Sequence, residues 1–317
     1  MYKTYFHLKR CPFEISPDPS MFYATAQHQE ALAGLFHGIK AGKGFMLLTG
    51  EVGTGKTLVV RCLQELLDQK RVSYAFVFNP RLSSREFLSY VAQDLGLSPC
   101  PTAKSDLLLG LSRFLIERHR HGITTLLVVE EAQHLTSIVL EEIRLLTNLD
   151  TPQGKLLQIL LIGQPELARK IAAPRITQLR QRITLWFRLS VLSEEETSNY
   201  VQYRLKLAGD ESGKIFAPDA LERVYLNSQG TPRLINTLCD NAMMLAATLR
   251  QESVTPELVE RAASDLGIIR AHRREDETAP QLQSRAGEAG DAEMGGFPVM
   301  SEAIGSETDL PPKEGGL

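Results

Sequence analysis

The octapeptide at residues 50–57 leaves a chain of this kind few ways to fold. It reads Gly50, Glu51, Val52, Gly53, Thr54, Gly55, Lys56 and Thr57. A short apolar run at 44–49 precedes it, and residues 58–67 follow with helical periodicity. Strand, glycine-rich turn closing on Gly-Lys-Thr, then helix is the context a phosphate-binding loop requires. The glycines let the backbone wrap a phosphate with its N–H groups turned inward. The helix that begins there adds the positive end of its dipole. Lys56 is expected to reach the β- and γ-phosphates, and the Thr57 hydroxyl to ligate Mg²⁺.

A sheet is needed to hold such a loop, and 317 residues suffice for one large domain or two smaller ones. Hydrophobic content of 43% and charged content of 23% are those of an ordinary globular chain. No run approaches the ~18 apolar residues of a membrane span, and residues 1–7 lack an apolar signal core. The expected location is therefore the cytoplasm, unless a partner tethers the chain to a membrane. Cys11, Cys62, Cys100 and Cys239 form no C-x-x-C pair, so buried or unreactive thiols are expected rather than a metal cage. The tail, His272–Leu317, carries four basic and ten acidic residues; the chain's net charge of −3 thus hides a body of +3. A body so weakly basic neither demands nor excludes nucleic acid.

Taken in order, residues 1–26 are proline- and aromatic-rich without periodicity, an arm expected to pack on the core. Residues 27–40 read as a helix with Leu32, Leu35, Phe36 and Ile39 on one face. Strands are expected at 44–49, 72–78, 124–131, 156–162 and 183–189. The run at 124–131 is continuously apolar before its two acids, as a strand buried on both faces should be. Between the strands fall helices at 83–95 (opened by a Ser83–Glu86 capping box), 105–121, 137–149, 166–172 and 176–181. Strands alternating with helices predict an α/β fold, a five-stranded parallel sheet with helices on both faces. Beyond residue 190 no strand pattern appears. A capping box at Ser193–Glu196 opens one helix, and three more begin near Pro218, Pro232 and Pro256, where proline's missing N–H costs nothing. The expected divisions are an arm at 1–26, an α/β domain at 27–190, a helical lid at 191–270 and a disordered acidic tail at 271–317.

A parallel sheet with a phosphate loop, followed by a small helical domain, is the plan of the AAA+ ATPases. Finer motifs narrow the likeness: Glu130-Glu131-Ala132-Gln133, LIGQPEL at 161–167, QLRQRI at 178–183, GTPRLIN at 230–236, and the opening Pro12-Phe13 and Pro17-Asp18-Pro19. Together they resemble the ExeA/GspA family of secretion-pathway ATPases and its MshM-like relatives of pilus biogenesis, over residues 1 to about 268. The resemblance implies ATP and Mg²⁺ as ligands. It implies that Glu130 supports the metal and that Glu131 activates the attacking water. It makes Gln164 the polar residue that holds the water or γ-phosphate, Arg180 or Arg182 a finger onto a neighbour's ATP, and Arg233 the residue closing the lid on the γ-phosphate. Arginine suits both duties, because it stays charged and forks onto phosphate oxygens. The family's usual residue at position 130 is Asp; Glu130 adds a methylene, and positioned catalysis is sensitive to such shifts.

The implied partners are further copies of the chain and a secretion or pilus complex at the inner membrane. ExeA/GspA-type proteins carry a membrane span and a cell-wall-binding region after the ATPase. This chain carries an acidic tail there, so coupling through a partner is expected. Two rival readings stand beside this one: a DNA-associated regulator resembling the TniB-like ATPases of transposition, less favoured because no helix-turn-helix is evident, and a scaffold that binds ATP but hydrolyses it slowly. His119 and His121, two apart on a helix, face different ways and are read as a solvated helix end. Trp186 is read as packing, and Tyr23 or an arm neighbour as cover for the base.

Overall fold

The computed structural model describes residues 2–67, 71–78, 80–98, 103–152 and 154–268. All lie in the compact unit Met1–Ala271; the acidic tail and Cys100 fall outside the described residues. After a one-turn helix α1 (Tyr2–Tyr5), the elements run α2 (Ala26–Lys40), β1 (Phe45–Gly50), α3 (Lys56–Leu66), β2 (Val72–Val77), α4 (Ser84–Asp94), α5 (Lys104–Arg120) and β3 (Thr124–Val129). Then follow α6 (Ser137–Leu146), the two-residue strands β4 (Asp150–Thr151) and β5 (Gly154–Lys155), β6 (Gln158–Gly163), α7 (Pro165–Ile171), α8 (Thr177–Arg180) and β7 (Leu185–Leu189). The chain continues with α9 (Glu194–Ala208), α10 (Pro218–Ser228), α11 (Pro232–Thr248) and α12 (Pro256–Asp265).

The main sheet is five-stranded and parallel throughout, in the order β2-β3-β6-β1-β7. Its inner strands carry unbroken apolar runs, at 45–48, 126–129 and 159–162, because each side chain there meets a core whichever way it points. Phe45 and Leu47 of β1, Leu127 and Val129 of β3, and Ile159 and Leu161 of β6 enter the core shared with α4 to α8. Their alternates Met46, Leu48, Leu126, Val128, Leu160 and Ile162 enter the core under α2 and α3.

A third core joins α9 to α12, and the first residues of the chain belong to it: Tyr2, Leu8 and Phe13 pack among Tyr200, Val201, Phe216 and Cys239. Burying Phe13, at 1% exposure, contributes about 1.5–3 kcal/mol. The arm therefore docks on the helices furthest from it in sequence.

Several boundaries differ from expectation for local reasons. The arm contains α1 and a 3₁₀ turn at Pro19–Met21 capped by Asp18. The helix expected at 137–149 stops at Leu146, and a hairpin of β4 and β5 follows; two residues per strand are too few to show alternation. The helix expected at 176–181 is a 3₁₀ turn, Pro174–Ile176, running into α8. Trp186 is not packing in the sense expected. It stands 43% exposed on edge strand β7, its indole N–H donating to Thr49 Oγ1 at 3.1 Å.

Candidate functional site

In a parallel sheet the loops at the carboxyl ends of the strands share one edge, where ligands bind. Here that edge gathers Gly50 from β1, Glu130 and Glu131 after β3, and Gln164 after β6. The loop at 50–57 turns through two left-handed glycines, Gly53 (φ 81°) and Gly55 (φ 94°), conformations that side chains rarely adopt. Gly53 also allows a close approach. A Cβ there would lie 2.7 Å from Arg233 Cβ, where the start of α11 crosses the loop and the Arg233 N–H donates to Gly53 O at 3.3 Å. Lys56, the first residue of α3, is buried and donates from Nζ to Gly50 O (2.8 Å) and Glu51 O (2.7 Å). Burial draws its pKa down, while Glu131, Glu51 and Glu130 act to hold its charge.

Thr57 Oγ1 donates to Glu130 Oε2 at 3.2 Å, bringing hydroxyl and carboxylate together from two elements 73 residues apart. Burial pushes the Glu130 carboxyl above the ordinary range, against the pull of that hydrogen bond. Glu131 sits in the left-handed region at φ 50°, unusual for a residue with a side chain. Such a backbone costs on the order of 1–3 kcal/mol and persists where its surroundings fix it. Two amides do so: Gln133 Nε2 and Gln164 Nε2 both donate to Glu131 Oε2, at 2.6 and 3.3 Å. Gln133 also accepts the Gln164 backbone N–H at 3.1 Å, while Lys170 Nζ caps Gln133 O at 2.6 Å. The local reading of the sequence had no role for Gln133; its place inside the Glu130–Gln133 motif was the signal.

His28 of α2 was missed outright. It is 4% exposed, and its Nε2 lies 3.1 Å from Thr54 O while Nδ1 lies 2.7 Å from Thr25 Oγ1. Burial lowers its pKa, which favours the neutral ring latching the phosphate loop to α2. Nothing in the sequence marks it, since the contact closes over 26 residues.

Beside the loop lies a cleft of about 350 Å³. Gly53, Lys56, Thr57 and Glu131 line it on one side, and Arg233 and Asn236 of α11 on another. Residues 14–18 of the arm form a further wall. Tyr23 is not part of it; its ring packs on Tyr200 and Tyr203 at 5.8 and 5.4 Å. Arg180 and Arg182 are exposed, just before β7, and do not line the cleft of their own chain. The fold thus brings the expected site residues together except for these two and Tyr23.

Residues 39–171 match the family model described as "AAA domain". Over 247 residues the chain is 44% identical to "General secretion pathway protein A" of Aeromonas hydrophila. The chain carries an AAA domain. That alignment takes in 78% of this chain but 45% of the relative, so it spans under half of that protein's length. Among solved structures, the chain superposes on the ORC2 protein of Aeropyrum pernix with a TM-score of 0.61 at 18% identity, covering 81% of this chain and 72% of that one. Cdc6p of Pyrobaculum aerophilum gives 0.60 at 19%, covering 83% and 70%. A variant of RuvB from Thermotoga maritima gives 0.54 at 14%, covering 80% and 74%. At such identities these likenesses speak for the fold alone.

Proposed function

We propose that this chain turns over ATP with Mg²⁺ and uses the cycle to remodel or assemble a partner complex of secretion or pilus machinery at the inner membrane. The observation that carries the catalytic half is the Glu131 carboxylate, held by Gln133 and Gln164 in the cleft that Lys56 and Thr57 also line. A carboxylate fixed by two amide donors has one orientation to offer a water, which is what in-line attack on a γ-phosphate requires. Lys56, the loop backbone of residues 50–57 and the start of α3 hold the phosphates. The Thr57 hydroxyl and Glu130 carboxylate are a pair of hard oxygen donors, the set that suits Mg²⁺. Bound there, Mg²⁺ would neutralise charge on the β- and γ-phosphates. Gln164 orients Glu131 and faces the γ-phosphate. Arg233, at the start of α11, closes the helical lid of residues 191–270 on the same phosphate.

Arg180 and Arg182 act on the ATP of a neighbouring copy, which makes a homo-oligomer the working form. Their exposure outside their own cleft supports this reading. The secretion partner is supported by the kinship with General secretion pathway protein A. No helix among the described residues is long and apolar enough to cross a membrane, which fits attachment through that partner.

Purified wild type should hydrolyse ATP. Lys56→Ala should bind none by calorimetry, and Glu131→Gln should bind it while losing about 10²-fold or more in kcat. Trapped with ATP, Glu131→Gln should co-purify inner-membrane secretion or pilus components. Capture of DNA instead, with salt-sensitive stimulation of turnover by duplex, would replace the secretion reading. Hydrolysis undiminished in Glu131→Gln would remove that residue from catalysis.

A further inference from the structure

Arg204 of α9 is 5% exposed, and among the described residues no carboxylate comes within salt-bridge range of it. Its guanidinium instead serves neutral oxygens. Nε donates to Pro12 O at 2.6 Å, Nη1 to Tyr200 Oη at 2.7 Å, and Nη2 to Glu14 O at 3.4 Å. Tyr200 Oη donates onward to Asn236 Oδ1 of α11 at 2.8 Å. Burying a cation with no carboxylate in contact is expensive; Asp18 feels its charge from farther off and the Tyr200 ring lies 5.5 Å from Cζ, and the hydrogen bonds it makes place two carbonyls that flank the buried Phe13 anchor. Beyond that anchor, residues 14–18 run along the cleft that holds Lys56 and Thr57. The far end is pinned from the other side, because Arg61 of α3 donates from Nη1 to Pro17 O at 2.7 Å. Prolines at 12, 17 and 19 stiffen the stretch in between. The arm thus offers a held apolar surface, Ile15 (56% exposed) and Pro17, beside the phosphate loop.

We infer that Arg204, with Tyr200 and Asn236, is a positioning unit that holds residues 14–18 as the wall for the nucleoside end of the nucleotide. It sets affinity for the base and leaves the grip on the phosphates alone. This rests on the cleft being the ATP site, as proposed above. Arg204 and Tyr200 themselves border the cleft, but the guanidinium's hydrogen bonds go to the arm carbonyls and to Tyr200 Oη, so its planar fork matters more than its charge. An apolar wall that does not move suits a flat base, which binds with little ordering cost against a preformed surface.

The test measures calorimetric affinities for ATP, GTP and inorganic tripolyphosphate in wild type, Arg204→Gln, Arg204→Lys and Tyr200→Phe. Tripolyphosphate reads the phosphate loop without a base. Wild type should prefer ATP to both of the others. Arg204→Gln and Arg204→Lys should weaken ATP about tenfold or more, the usual effect of losing hydrogen bonds to a charged group. Their tripolyphosphate affinity should stay within about twofold, and the ATP-to-GTP ratio should narrow. Tyr200→Phe keeps the ring and deletes the shared hydroxyl, so it carries the test if the arginine variants fail to fold, and a smaller shift of the same sign is expected. An unchanged ATP-to-tripolyphosphate ratio in folded variants overturns the inference, as does a parallel loss of both ligands. Wild type that binds neither ATP nor tripolyphosphate overturns the cleft assignment itself.

Discussion

Glu130 sits where a carboxylate is costly. Burial raises its pKa first, Glu131 adds to the rise, and the Thr57 hydroxyl, Arg61 and Lys56 act against it. A carboxyl raised on folding adds stability below its unfolded value of 4.5. That contribution is lost as the pH climbs through the higher folded value. At pH 7.5, with no metal ion bound, burial outweighs Arg61 and Lys56 and ionised Glu130 therefore burdens the fold. Glu130→Gln should raise Tm at pH 7.5 in thermal unfolding without Mg²⁺, and its lead over wild type should shrink towards pH 4.5. A lowered Tm at pH 7.5 would show that the Thr57 hydrogen bond outweighs burial. A carboxylate buried in this way costs the fold stability, a cost commonly found at functional sites.

At the scale of elements, the contact between α2 and β7 depends on missing side chains. A Cβ on Gly34 would come 2.2 Å from Phe187 Cζ, and one on Gly38 2.4 Å from Leu185 Cδ1. Two glycines a turn apart weaken the helix by roughly 1 kcal/mol each, yet they let the edge strand lie against it. Gly34→Val should destabilise by about 1–3 kcal/mol through overpacking, read as a lowered midpoint in denaturant. Ala33→Val, on the exposed side of the same helix, should cost no more than about 0.7 kcal/mol. Equal losses in the two variants would assign the effect to helix propensity rather than packing. Helix starts were well marked in the sequence: α10, α11 and α12 begin at Pro218, Pro232 and Pro256, and capping boxes at Ser83 and Ser193 open α4 and α9. Helix ends were less clear, as with α6, because the hairpin that follows it is too short for a pattern.

For the whole molecule, the exposed arginines make a prediction about copies. Arg180→Ala/Arg182→Ala should keep ATP affinity and lose about 10³-fold in kcat. Mixed with Lys56→Ala, which binds no ATP yet keeps both arginines, it should regain activity in proportion to mixed contacts. No recovery at any ratio would confine both arginines to their own chain.

The sequence by itself determined the phosphate loop, the five strands and the helices between them. Each rests on neighbours within a few residues: glycines where the backbone turns left-handed, apolar runs where both faces are buried, prolines and caps where helices start. It also placed Glu130, Glu131 and Gln164 at strand ends, which a parallel sheet must gather on one edge. Tertiary structure alone decided what those groups touch. His28 on Thr54, Gln164 on Gln133, and Arg204 on the carbonyls of Pro12 and Glu14 join residues up to 192 positions apart. Such hydrogen bonds leave no periodicity behind. They exist because burial removes water and obliges each polar group to find its partner wherever the packed chain has brought one.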